Sequence, residues 1–199
     1  MAISLSPFHL LNAPNIPFPA PTSTSFTLTP PLTTMTDIWR KPGPPEINTF
    51  NAPVIYKKIN LATFQRVRVT VSGWVKSGIE FVDDTPHVST VACDRWADWS
   101  LVKEGINSAS GGGANETQVT IEMEQREIDD TLWVYVVEGG QRSGIREVTW
   151  LLSLAKDKDR KPREREAWVG VYAATPTIRE GRKPLDVRFG GFEVVLRDI

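Results

Sequence analysis

The feature that most limits the fold of this chain is a period of two. In FQRVRVTVS (64 to 72), Val67, Val69 and Val71 point one way, and Arg66, Arg68 and Thr70 the other. VTIEMEQ repeats the pattern, with Val119, Ile121 and Met123 against Thr120, Glu122 and Glu124. Such alternation belongs to a strand with one buried face, and no run offers the wider-spaced apolar stripe of a helix. FTLT (26 to 29), VIYKKI (54 to 59), GIEFV (78 to 82), HVSTVAC (87 to 93) and LWVYVVE (132 to 138) are further β-type runs. REVTWLL (146 to 152), AWVGVYAA (167 to 174), LDVRF (185 to 189) and FEVVL (192 to 196) complete the series. Roughly eleven short strands at this spacing predict an all-β chain, two antiparallel sheets packed as a sandwich or jelly roll.

The breaks carry turn chemistry. PGPPE (42 to 46) cannot lie within a ladder, because proline has no amide to donate. Asp83-Asp84 and Glu138-Gly139-Gly140 are hairpin turns by composition. SASGGGANE (108 to 116) and KDKDRKPRERE (156 to 166) are expected as exposed loops. Residues 1 to 22, with prolines at 7, 14, 17, 19 and 21, are expected as a loosely ordered arm before a single sandwich domain over 23 to 199.

Composition narrows the functions. With 23 basic and 24 acidic residues there is no large field to attract nucleic acid. Cys93 is the one cysteine and His9 and His87 the two histidines, so no disulfide framework, zinc site or other cofactor is expected. The first apolar stretch lacks a preceding basic residue and is broken by proline, which fits neither a secretory leader nor a membrane span. A cytoplasmic protein without a membrane partner is the expectation, and the sequon at Asn115 would then stand idle.

Seven tryptophans need an explanation. Period-two counting puts Leu132, Val134 and Val136 on one face and Trp133 with Tyr135 on the other. Likewise Val169, Val171 and Ala173 oppose Trp168, Gly170 and Tyr172, while Val75, Ile79 and Phe81 oppose Trp74, Lys76 and Glu80. If these strands are neighbours, Lys76, Glu80, Trp133, Tyr135 and Tyr172 share one sheet surface. Aromatic rings among charged groups suit carbohydrate, whose C–H faces stack on rings and whose hydroxyls seek ionic partners. The alternative is that the rings pack beneath loops.

Catalysis has thinner support. Asp94 and Asp98 in ACDRWADWSL are four residues apart, and paired carboxylates can cleave glycosides at separations of about 5 to 9 Å. Asp94 beside Arg95 reads better as a local ion pair, and the acidic run TIEMEQRE as a solvated sheet edge. A hydrolase or lyase would have to draw on Lys76, Glu80 and Tyr135 converging in one cleft.

TDIWRKP (36 to 42), FNAPVIYK (50 to 57), WVKSGIEF (74 to 81), DRWADWSL (94 to 101), LWVYVVEGG (132 to 140), REVTWLL (146 to 152) and WVGVYAATP (168 to 176) stand in an order that resembles one family. It is the "regulation of enolase" family of concanavalin A-like proteins, built on a domain of unknown function and found in fungi and bacteria. The resemblance implies a concanavalin A-like jelly roll and a non-enzymatic cytoplasmic protein with enolase as partner; carbohydrate binding is the alternative. It assigns no catalytic residues. By residue chemistry within those blocks, the candidate ligand-binding positions are Trp39, Lys76, Glu80, Arg95, Trp96, Asp98, Trp99, Trp133, Tyr135, Arg146 and Tyr172. Similar proteins carry a further strand between the counterparts of VRVTVS and WVKSGIEF, a segment on the order of twenty residues that is absent here. Either the sheet closes around the gap, or the sequence comes from a faulty gene model, which would leave unpaired ladder groups and apolar surface exposed.

Overall fold

A computed structural model describes residues 7–72, 87–94, 97–103, 118–126, 131–152, 166–177 and 184–198. Within them the chain is almost entirely strand: β1 (Phe8–Leu11), β2 (Phe26–Leu28), β3 (Ile38–Lys41), β4 (Ile47–Phe50), β5 (Val54–Asn60), β6 (Phe64–Ser72) and β7 (His87–Cys93). β8 (Ala97–Lys103), β9 (Gln118–Arg126), β10 (Thr131–Glu138), β11 (Gln141–Val148), β12 (Glu166–Tyr172) and β13 (Val187–Leu196) follow. One 3-10 turn, Leu61–Thr63, joins β5 to β6, capped by the Asn60 side chain accepting from Ala62 N–H.

Two antiparallel sheets face each other. The large one has six strands in the order β11-β10-β9-β6-β13-β2, and the small one has three, β1-β5-β12. Two hairpins, β3–β4 and β7–β8, lie beside them as separate two-stranded ladders. The fold is the all-β jelly-roll sandwich that the alternation requires. Val67, Val71, Val119, Ile121, Leu132, Val134 and Val136 point inward from the large sheet, meeting Phe8, Ile55, Ile59 and Val171 of the small one. Burying each such side chain contributes about 1.5 to 3 kcal/mol, which makes this layer the main source of stability.

A second, smaller core lies on the opposite side of the small sheet. Val54 and Tyr56 turn away from the sandwich and are covered by Ile38 and Phe50 of β3–β4 and by Val91, Cys93 and Trp99 of β7–β8. Cys93 is half-buried there, and burial pushes its thiol pKa up.

Several elements differ from the sequence expectation. Part of the supposed arm is a strand: β1 pairs with β5 from Phe8↔Lys57 to Leu11↔Val54. PGPPE is a turn as expected, and it joins two strands that local composition does not announce. LDVRF and FEVVL are one bulged strand, β13, whose register slips between Gly190 and Glu193 around Gly191 at φ 62°. The strand expected at 146 to 152 lies instead at 141 to 148, paired to β10 through a Gly139-Gly140 turn with both φ angles positive. GIEFV, the Asp83-Asp84 turn, the 108 to 116 loop with Asn115, and the charged run as far as 165 lie outside the described residues.

Candidate functional site

The aromatic positions divide between two surfaces. β10 belongs to the large sheet and β12 to the small one, so the single face expected for Trp133, Tyr135 and Tyr172 does not form. Adjacency was the part of the expectation that alternation cannot supply.

On the outer face of the large sheet, register sets up a lattice of opposite charges. Tyr135 stands opposite Glu122, Glu122 opposite Arg68, and Arg68 opposite Glu193. Glu122 is 2% exposed, with Arg142 Nε at 3.0 Å, Arg66 at 3.6 Å and Arg68 at 3.8 Å. The Arg142 contact is off the hydrogen-bonding direction, so it acts as an ion pair. Arg142 also holds Glu124, and Arg66 holds Glu193 at 2.9 Å. The acidic run is therefore no solvated edge: β9 sits mid-sheet, and long arginine stems roof its carboxylates.

Trp133 and Tyr135 lie side by side here, their ring centres 6.0 Å apart. Each carries a guanidinium, Arg126 at 5.4 Å from the Trp133 ring and Arg142 at 4.0 Å from Tyr135. Trp133 also packs against Gly144, where an added Cβ would come within 3.0 Å of its ring. The chain's own cations occupy the places a stacked ligand would take.

The outer face of the small sheet is arranged differently. His9, Tyr56 and Trp168, one from each strand, form a continuous stack, with ring centres 5.2 Å and then 4.3 Å apart. Tyr56 is buried in the middle, while Trp168 at the end is 49% exposed. Trp168 Nε1–H donates to Glu166 Oε1 at 3.0 Å, and Lys58 Nζ stands 2.9 Å from the same oxygen. The Trp168 hydrogen bond, followed by Lys58, holds the Glu166 carboxyl below its usual pKa. The close packing requires Gly170: a Cβ there would lie 2.1 Å from the Ile55 carbonyl oxygen and 2.7 Å from Tyr56 Cβ.

Further along β12, Tyr172 shares a hydrogen bond with Ser89 of β7, and the Trp99 ring meets it edge-on at 6.1 Å. Burial raises the Tyr172 pKa well above the ordinary phenol range. Arg40 closes this end, donating to Asp94 O at 2.6 Å and Asn48 Oδ1 at 2.8 Å while lying over Phe50.

Between β12 and β7 runs a slot of about 560 Å³. Every residue of β12 from Glu166 to Tyr172 lines it, and every residue from Val88 to Asp94 lines its other wall. Val69 and Met123 of the large sheet form part of its floor and remain half-exposed. Among the described residues β12 pairs only with β5, and β7 only with β8. The short junction itself, from residue 73 onward, lies outside the described residues.

The remaining candidates are scattered. Asp98 accepts from Arg146 Nη2 at 2.5 Å and Trp150 Nε1 at 3.1 Å, which ties β8 to the end of the large sheet. Trp39, 40% exposed, projects from β3 on the side away from Ile38. Lys76, Glu80, Arg95 and Trp96 lie outside the described residues. Among the described residues no group of three or more His, Cys, Asp or Glu side chains is placed to hold a metal ion. Sequence reasoning put Trp168 on the face of Tyr172 but passed over it as a site, and its partners Tyr56 and His9 carried no local signal.

Comparison with known proteins gives two matches. A family model described as a protein of unknown function (DUF1349) matches residues 66–195. An uncharacterized protein of Emericella nidulans is 43% identical over 186 residues, covering 82% of this chain and 83% of that protein. No solved structure matches.

Proposed function

The chain belongs to the DUF1349 family of proteins of unknown function, and we propose that it is a non-enzymatic binding protein whose ligand is a carbohydrate stacked on Trp168. The observation that carries this reading is the Trp168 ring itself: half-exposed, backed by Tyr56 at 4.3 Å and fixed through its N–H by Glu166. A ring held on one side and open on the other needs little ordering when a sugar's C–H face lands on it. Glu166 and Lys58 stand beside it with the acceptor and donor that hydroxyls require, while His9 lies at the far end of the stack. Among the described residues, Asp98 is committed to Arg146 and Trp150, and Glu122 and Glu124 to arginines.

Calorimetry against a broad oligosaccharide panel tests this. The reading expects at least one ligand whose affinity Trp168→Ala lowers by about 1 to 3 kcal/mol, roughly 5- to 150-fold. Silence across the panel, or a ligand indifferent to the substitution, would sink it.

A second reading draws on the resemblance to the enolase-regulating, concanavalin A-like proteins: a cytoplasmic regulator that binds enolase. Trp39, exposed and alone on β3, is the kind of aromatic anchor such an interface uses. No helix among the described residues is long and apolar enough to cross a membrane. Purified enolase passed over the immobilised chain should be retained, and Trp39→Ala should weaken retention; no retention at micromolar concentrations would discard the idea.

A further inference from the structure

We propose, on the premise that Trp168 takes a sugar, that β1 regulates that site: His9 positions the indole through Tyr56, so that docking of β1 and sugar binding reinforce each other. β5 lies between β1 and β12, so His9 and Trp168 reach Tyr56 from opposite sides. Their rings lie within 25° and 22° of parallel to it. Tyr56 is clamped between them, and Trp168 leans on the clamped ring. The indole's other tie, the hydrogen bond to Glu166, runs to an exposed carboxylate and holds the ring only at its Nε1–H edge.

His9 is itself held from both sides along the chain. Phe8 turns inward, its ring 5.0 Å from Phe26 and 6.0 Å from Phe192, with the Lys57 ammonium 4.2 Å from its centre. Just beyond β1, the Asn12 Nδ2–H group donates to Phe50 O at 3.0 Å and to Ala52 O at 3.1 Å. Between these anchors the register sets His9 directly opposite Tyr56. Alternation gives the strand two roles: Phe8 closes the main core, and His9 faces out to brace the stack. Without His9, Tyr56 would gain room on the β1 side, and the indole would lose its fixed backing. A ring that must be ordered as the sugar lands binds more weakly. Linkage makes the effect reciprocal: a sugar that holds Trp168 in place tightens the stack and with it the docking of β1. A four-residue strand at one side of a three-stranded sheet is the kind of element that opens locally, well short of global unfolding.

The test uses the full chain and the oligosaccharide panel, with tetrasaccharides of glucose, mannose, galactose and N-acetylglucosamine among its members. For the tightest of these, His9→Ala should lower affinity about fivefold, within the range one ring pair supports. His9→Phe, which keeps a ring on Tyr56, should restore most of the loss. In the sugar-free chain labelled with fluorotryptophan, the fluorine NMR signal that Trp168→Phe removes should shift or broaden in His9→Ala and recover in His9→Phe. Hydrogen exchange reads the reciprocal effect: the bound tetrasaccharide should slow exchange of the β1 amides in the unaltered chain, a measurement that stands even if His9→Ala fails to fold. The coupling is overturned if folded His9→Ala binds as the unaltered chain does, if His9→Phe behaves like His9→Ala, or if β1 exchange ignores the sugar. A sugar whose binding needs Trp168 but not His9 leaves the carbohydrate reading standing and removes the coupling alone; silence across the whole panel removes both.

Discussion

The two outer faces of this sandwich are built from the same kinds of residue and come to opposite ends. On the large sheet, Trp133 and Tyr135 lie among Arg66, Arg126, Arg142, Glu122 and Glu124, each ring near a guanidinium and each carboxylate near an arginine, with Trp133 Nε1–H buried without an acceptor. On the small sheet, Trp168 has a partner on one side only, and β12 has one unpaired edge among the described residues. Aromatic and charged composition therefore does not mark a binding surface by itself. The mark is an aromatic that the chain supports without covering.

Substitutions can break or sharpen that contrast. The largest effect is expected at Gly170, one of two glycines that admit the rings. Gly170→Val would drive a side chain into the Ile55 carbonyl and the Tyr56 backbone, contacts that cannot yield, and should cost about 3 kcal/mol or more. Gly144→Ala meets side chains only, Trp133 at 3.0 Å and Tyr135 at 3.7 Å, and should cost about 1 kcal/mol. Urea unfolding of both variants makes the comparison, and equal losses would contradict the rigid-stack account of the small sheet.

Next is Glu122→Gln, which leaves Arg66, Arg68 and Arg142 clustered around a neutral amide. A loss of about 1 to 3 kcal/mol in unfolding free energy is expected, with sugar affinity unchanged. Any change in ligand affinity would show that the large-sheet face takes part in binding. The tryptophan pair is a direct contrast: Trp133→Ala should lower stability by about 2 kcal/mol and spare the ligand, while Trp168→Ala should spare stability and lose the ligand. A reversed result would return the site to the large sheet.

The smallest effect is that of pH on ligand binding through Glu166. Its carboxyl is held below the ordinary value by Trp168 and Lys58, so its anchoring role is complete above about pH 4.3 and fades only as pH falls through the lowered value. Affinity measured from pH 7 to 4.5 should stay flat and drop below that; a decline already at pH 6 would show that a group other than Glu166 controls binding.

Legibility in the sequence follows how each strand is stabilised. β6 and β7 are read to the residue: in β6 Val67, Val69 and Val71 alternate with polar groups, and HVSTVAC is a short run rich in β-branched residues. β11 is displaced because QRSGIREV is exposed at all but its last position, so its strand state comes from the Gly139-Gly140 turn and the β10 ladder. β1 is hidden because FHLL is a strand only by pairing with residues more than forty positions away. The same limit governs the site. Parity placed Trp133 with Tyr135 and Trp168 with Tyr172, but the arginines over the first pair and the tyrosine beneath Trp168 arrive from other strands.

The sequence by itself determined the alternation, hence the all-β sandwich and the inward set of valines, isoleucines and leucines, because a period of two is a property of the local backbone. Only the tertiary structure decided which strands became neighbours. That choice rests on pairings across long stretches of chain, and it determined which tryptophan was covered by its own protein's arginines and which was left open.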